Sequence, residues 1–90
     1  MRRFRNAVGP LIRKYRCLRN LTQDGLATKV QLAGLDMDRA AVAKIEARIR
    51  SVYDYELIVI ARVLKVPPGK LAPAETELKR ILPHLITGTM

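Results

Sequence analysis

"DRAAVAKIEARIRS", residues 38–51, is the stretch on which the fold turns. Asp38 is a good helix N-cap, and the alanines and arginines behind it are strong helix formers. The segment therefore reads as a helix, with its working part over about residues 38–49. At about 100° per residue, Ala41, Val42, Ile45 and Ile49 share one arc and point to a core. The opposite face carries Ala40, Ala43 and Ala47 along its middle. Arg39 and Arg50 flank that stripe on one edge, Lys44 and Arg48 on the other. A helix that is thin along one face and basic on both edges is a shape the DNA major groove admits. The bland counter-reading is a solvated Ala/Arg surface, because both residues favour helices.

Outward from this helix the pattern stays helical. Val8, Leu11, Ile12, Tyr15 and Leu18 recur at helical spacing, and Pro10 fits only a first turn, so helix 1 is predicted over Val8–Arg19. Asn20 is a suitable stop. Thr22 is the N-cap candidate of helix 2, with Asp24 at the positive end of its dipole and Gly34 as its terminator. Asp54 is the predicted cap of helix 4, which carries Leu57, Ile60, Ala61 and Leu64 on one face. "VPPGKLAP" is turn-rich with one helical turn. "AETELKRIL" reads as a short fifth helix stopped by Pro83, with a frayed tail from His84. The expected fold is all-α, a compact bundle of about five short helices.

The chain has 90 residues, enough for one small domain, and half of them are apolar with few aromatics. Three segments are expected: a mobile basic arm over 1–7, the domain over 8–72, and a C-terminal helix and tail over 73–90. Net charge is +9. Residues 1–23 hold Arg2, Arg3, Arg5, Arg13, Lys14, Arg16 and Arg19 and no acid. Such a balance points to a polyanionic partner. One cysteine, Cys17, excludes an internal disulfide and fits a reducing compartment, so the cytoplasm is the expected location. No apolar run is long enough for a membrane span. Metal-ligand spacing, Gly-rich phosphate loops and nucleophile motifs are all missing, so neither an enzyme, nor a cofactor, nor a small-molecule substrate is expected. Cys17 is read as a packing or half-exposed thiol, and His84, which stands alone, is given no metal or catalytic role.

The ordered set "VG..IR..R....LTQ..LA.K", "V.KIE" and "..Y.L..IA..L.VP...L", spanning Val8–Leu71, resembles the lambda-repressor-like (Xre/Cro-type) helix-turn-helix family. The resemblance implies a five-helix bundle whose third helix enters the major groove of double-stranded DNA. It implies that Gln23, beside Thr22, holds a phosphate, and that Arg39, Ala40, Ala43 and Lys44 face base edges. Arg16 and Glu46 match a pair that ties helix 1 to the recognition helix. Three departures stand out. The segment from Gln23 to Asp38 is about five residues longer than in the shortest members. Ala47 and Arg48 replace a frequent Asn-Gly, so Arg48 and Arg50 are the substitute phosphate contacts. Ala40 replaces a residue that is often polar, which shifts specificity toward Arg39, Lys44 and DNA shape.

The remaining basic residues have two readings each. Arg2, Arg3 and Arg5 suit a minor groove or solvent. Arg13, Lys14 and Arg19 suit phosphate or solvent. A homodimer on a palindromic operator is expected, since one module of this size covers little DNA, with Tyr53, Tyr55, Leu78, Ile81 and Leu82 as its apolar face. The rival reading is an antitoxin-like protein-interaction subunit that uses the same fold to hold a protein partner.

Overall fold

The computed structural model describes residues 3–86. Arg2 and the last residues of the predicted tail, 87–90, lie outside the described residues. The elements in order are α1 (Gly9–Leu18), α2 (Gln23–Leu32), α3 (Arg39–Glu46), α4 (Asp54–Leu64), a 3-10 turn (Pro68–Leu71) and α5 (Glu75–Ile86). No strand occurs among the described residues. Ile12, Val30, Met37, Ile45, Ile60 and Leu64 are among the buried aliphatics where α1–α4 and the 3-10 turn meet. With no buried Phe or Trp, aliphatic packing carries the core.

Local chemistry sets the ends of α2. The Thr22 hydroxyl accepts from the Gly25 amide at 2.9 Å, satisfying one orphan donor. At the far end Gly34 takes φ 98°, a conformation that glycine adopts freely. The Leu35 amide then reaches back to the Val30 carbonyl at 2.9 Å, closing a Schellman-type cap. The extra residues before Asp38 are absorbed in this cap and the turn that follows. Met37 plugs into the core, and its carbonyl accepts from the Gln31 side chain at 2.9 Å. The long segment is thus a packed corner.

Several expectations are corrected. α3 stops at Glu46, three residues short of the predicted 49, because Arg48 turns left-handed at φ 64°. Ile49 therefore leaves the core arc and is 39% exposed. Leu18, placed on the inner stripe of helix 1, is exposed at that helix's last turn. The N-cap of α4 is Tyr53, one residue before Asp54, and its amide is satisfied by Glu56 at 3.0 Å. α5 runs through Pro83 to Ile86, and His84 is buried within it.

Residues 3–7 are tied down where a mobile arm was expected. The Phe4 amide donates to the His84 carbonyl at 3.1 Å, and Arg3 Nε donates to the Leu85 carbonyl at 2.6 Å. The Phe4 ring stacks on His84 with centroids 4.8 Å apart. These bonds satisfy last-turn carbonyls of α5, which have no intrahelical partner. They tie the turn that α5 makes beyond Pro83 to the N-terminal segment.

Candidate nucleic-acid interface

Glu46, the last residue of α3, is the centre from which the surface is built. Its carboxylate accepts from Arg16 Nε at 2.6 Å, from Arg16 Nη2 at 3.0 Å and from Gln23 Nε2 at 3.1 Å. Arg16 also donates to the Leu21 carbonyl at 2.7 Å, ahead of α2. One half-buried network therefore joins α1, the start of α2 and the end of α3. The hydrogen bond to Glu46 raises the Arg16 guanidinium above the usual arginine range, against the opposing effect of burial. Bidentate Arg–carboxylate geometry fixes orientation as well as charge. The Glu46 charge is neutralised in place.

Around this network lie two adjoining open depressions. Arg16, Thr22, Gln23, Asp24 and Arg39 line the first. Arg13, Arg16, Gln23, Ala43, Glu46 and Ala47 line the second. The start of α2 and the outer face of α3 thus form one surface. Ala40, Arg39 and Lys44 are exposed on α3. Gln23, with one amide hydrogen committed to Glu46, keeps a second N–H and its carbonyl oxygen. The α3 N-terminus is closed by Asp38, whose Oδ1 accepts from the Ala41 amide at 2.8 Å.

Thr22, Gln23, Arg39, Ala40, Ala43 and Lys44 therefore lie on the two elements that form this face. Two of the sequence-predicted contacts do not join them. Arg50 turns away: its guanidinium binds the buried Glu56 carboxylate through bonds of 3.0 and 2.9 Å. Arg48 lies beyond the helix, with its guanidinium carbon 3.8 Å from the Phe4 ring centroid. Both leave the expected basic rails because α3 ends at Glu46, so the 100° spacing no longer applies to them. Arg19, a candidate phosphate contact, instead donates to the Leu64 and Lys65 carbonyls at the end of α4, at 2.7 and 3.3 Å. Arg3 and Arg5 belong to the docked N-terminal segment.

Sequence reasoning missed Asn6. It is only 8% exposed and bonds both α1 and the end of α3. The signal that could have found it is an Asn just ahead of Gly9-Pro10, where a side-chain oxygen can accept from the first amides of a helix.

The chain matches the helix-turn-helix family model HTH_3 over residues 12–71. Among solved structures it is similar to the restriction-modification controller protein C.AhdI from Aeromonas hydrophila. That likeness has 30% identity, 71% of this chain and 86% of that chain covered, and a TM-score of 0.63. It is similar to a mutant of the restriction-modification controller protein C.Esp1396I, at 29% identity over 93% of this chain and 99% of that one, with a TM-score of 0.65. The DNA-binding domain of BldD is 26% identical, with 78% and 94% covered and a TM-score of 0.65. No curated protein matches the sequence. With a family match over residues 12–71, which takes in α2 and α3, this chain belongs to the lambda-repressor-like helix-turn-helix family.

Proposed function

We propose that this protein is a small double-stranded DNA-binding transcription regulator that lays α3 in the major groove. One observation carries the reading: the surface joining the start of α2 to the outer face of α3. Alanines 40, 43 and 47 keep that face thin, and Arg39, Lys44 and Arg13 supply cations beside it. Its central carboxylate, Glu46, is already paired. Small side chains allow close approach to base edges and thymine methyls, and flanking cations meet phosphates. Gln23 and Thr22 at the α2 N-terminus act as phosphate anchors, helped by the helix dipole. The names of its structural neighbours, two controller proteins and a DNA-binding domain, support the same class. This is a binding protein working beside DNA in the cytoplasm, with no chemistry of its own.

It works as a homodimer on a two-fold site. Tyr53 and Tyr55 are 60% and 56% exposed and stack on each other with centroids 5.6 Å apart, and Ile58 is exposed on the same helix. Ile81, expected on that face, is in the core, and Leu78 is half-buried. The dimer face is therefore centred on the start of α4, with Leu82 as its α5 candidate.

The experiment is selection from a pool of random duplexes at several salt concentrations, with sequencing of the bound fraction. An enriched palindrome whose binding weakens steeply in salt is the expected result. Salt-sensitive binding without enrichment would remove the base-reading role of α3. No binding at low salt would replace this reading with the protein-partner one.

A further inference from the structure

We propose that Asn6 is a positioning residue for the recognition helix, fixing the tilt of α3 and with it the discrimination between DNA sequences. The inference rests on the DNA-binding reading above. Its basis is a single buried amide that uses four hydrogen-bonding valences on three chain segments. Asn6 Oδ1 accepts from the Val8 and Gly9 amides at 3.1 and 2.8 Å, capping the start of α1. Asn6 Nδ2 donates to the Ile45 carbonyl in the last turn of α3 at 3.0 Å. Its other hydrogen goes to the Arg50 carbonyl at 2.8 Å, in the turn that follows. The Arg5 amide adds a bond to the Arg48 carbonyl at 2.8 Å.

Two ties fix an angle where one would leave a pivot. The Arg16–Glu46 pair holds the end of α3 to the last turn of α1. Asn6 holds it at the start of α1, about 10 Å away at 1.5 Å per residue between Gly9 and Arg16. α3 has 8 residues. A tilt of about 10° around its last turn would move the backbone at Arg39 by about 2 Å, taking the same rise per residue. A hydrogen bond to a base edge tolerates a few tenths of an ångström. Contacts to phosphate from long flexible cations survive such a shift, because they follow charge more than geometry. Loss of the Asn6 tie therefore predicts lost sequence discrimination with retained general affinity.

Asparagine is the residue this position requires. Aspartate keeps both acceptor bonds to α1 but points an oxygen at two carbonyl oxygens. Serine keeps the cap of α1 and is too short to bridge Ile45 and Arg50. Asn6→Asp and Asn6→Ser thus separate the cap of α1 from the tie to α3, and the serine change adds no charge.

The test compares binding of the full chain and both variants to the enriched duplex from the selection and to a scrambled duplex of equal length. Circular dichroism sets a temperature at which each protein is folded. The expected result is an enriched-to-scrambled affinity ratio lowered by about tenfold or more in both variants, the loss of one good base contact, with scrambled binding unchanged in the serine variant. Folded variants that keep the wild-type ratio would overturn the proposal, leaving Asn6 as a stability residue. So would failure of both variants to fold. A wild-type chain that does not distinguish the duplexes overturns the DNA reading itself, and that is seen before any variant is made.

Discussion

The buried carboxylate of Glu56 makes the stability of this fold depend on pH. Arg50 bonds both of its oxygens and holds the group below its ordinary value near 4.5, and the Tyr53 amide adds to the effect against burial. A carboxylate with a depressed folded pKa contributes stability above its unfolded pKa and loses it as pH falls through the folded one. Unfolding free energy is therefore expected to drop as pH goes below about 4.5, the ordinary carboxyl range. Glu77 shifts the same way beside Arg80 but sits in solvent, where such pairs contribute little. Glu56→Gln should lower stability at pH 7 by about 1–2 kcal/mol and flatten the acid limb. Urea titrations from pH 3 to 7 check this, and an unchanged acid limb in the variant would place the titration elsewhere. Arg48 poses the opposite kind of question, since it sits at φ 64°. Left-handed backbone costs a side-chain-bearing residue about 1–2 kcal/mol. Arg48→Gly removes that strain. It also loses the stack on Phe4, worth about 1 kcal/mol, and frees the unfolded chain by up to about 1 kcal/mol more. The terms offset, so the variant should stay within about 1 kcal/mol of wild type in denaturant unfolding. A loss above about 2 kcal/mol, beyond the usual range for a partly exposed cation–π pair, would show the Phe4 clasp outweighs the backbone.

Between elements, the approach of α1 to α3 is set by the absence of a side chain at Gly9. A Cβ there would overlap the Ile45 carbonyl oxygen and come within 3.0 Å of the Glu46 one. Both are backbone atoms at the end of α3, and neither can swing aside. Alanine gains up to about 1 kcal/mol in helix propensity. The clash should outweigh it, so Gly9→Ala is expected to destabilise by about 2 kcal/mol, in the range of overpacking. A variant whose thermal midpoint rises instead would mean that α1 slides off α3 at little cost. This contact also marks where the sequence stops being readable. α2 and its Thr22 cap, the Asp38 cap and the inner faces of α2 and α4 follow from local spacing, and local spacing is visible in one chain. The end of α3 is not local. "ARIR" at 47–50 is good helix material, yet it is turned out of the helix by bonds from Arg5 and Asn6 and by the Arg50–Glu56 pair. Partners some forty residues distant leave no periodic trace. The same holds for α5, whose turn beyond Pro83 is bonded by Phe4 and Arg3 from the far end of the chain. For the candidate site, the placing of Thr22, Gln23, Arg39, Ala40, Ala43 and Lys44 at α2 and α3 was legible, because they lie on segments whose helical phase holds. Arg48 and Arg50 were misplaced because they lie just past the point where it fails.

At the scale of the whole molecule, charge and assembly act together. A chain carrying +9 binds duplex DNA in proportion to the phosphates it can reach. A single domain with an α3 of 8 residues reaches few, and two copies on a two-fold site reach twice as many. In the proposed dimer, the affinity and its salt dependence report on assembly as much as on α3. Tyr53→Ser with Tyr55→Ser separates the two. Both side chains are exposed, so neither change opens the core. Serine at 53 is also a good N-cap for α4, and the Glu56 bond goes to the residue 53 backbone, which the substitution keeps. The double variant is expected to keep its thermal midpoint and to sediment as a monomer, where the wild type is expected to sediment as a dimer. On the enriched duplex its slope of log affinity against log salt should fall to about half, because each neutralised phosphate contributes about 0.9 to that slope. Arg39→Ala makes the contrast: it is expected to leave assembly intact and to weaken the enriched duplex more than the scrambled one. A tyrosine variant that still sediments as a dimer would move the interface to the exposed Leu82 and Ile86 of α5. The N-terminal segment that holds that helix to the bundle would then be the route between assembly and the end of α3, since Phe4 touches His84 on one side and Arg48 on the other.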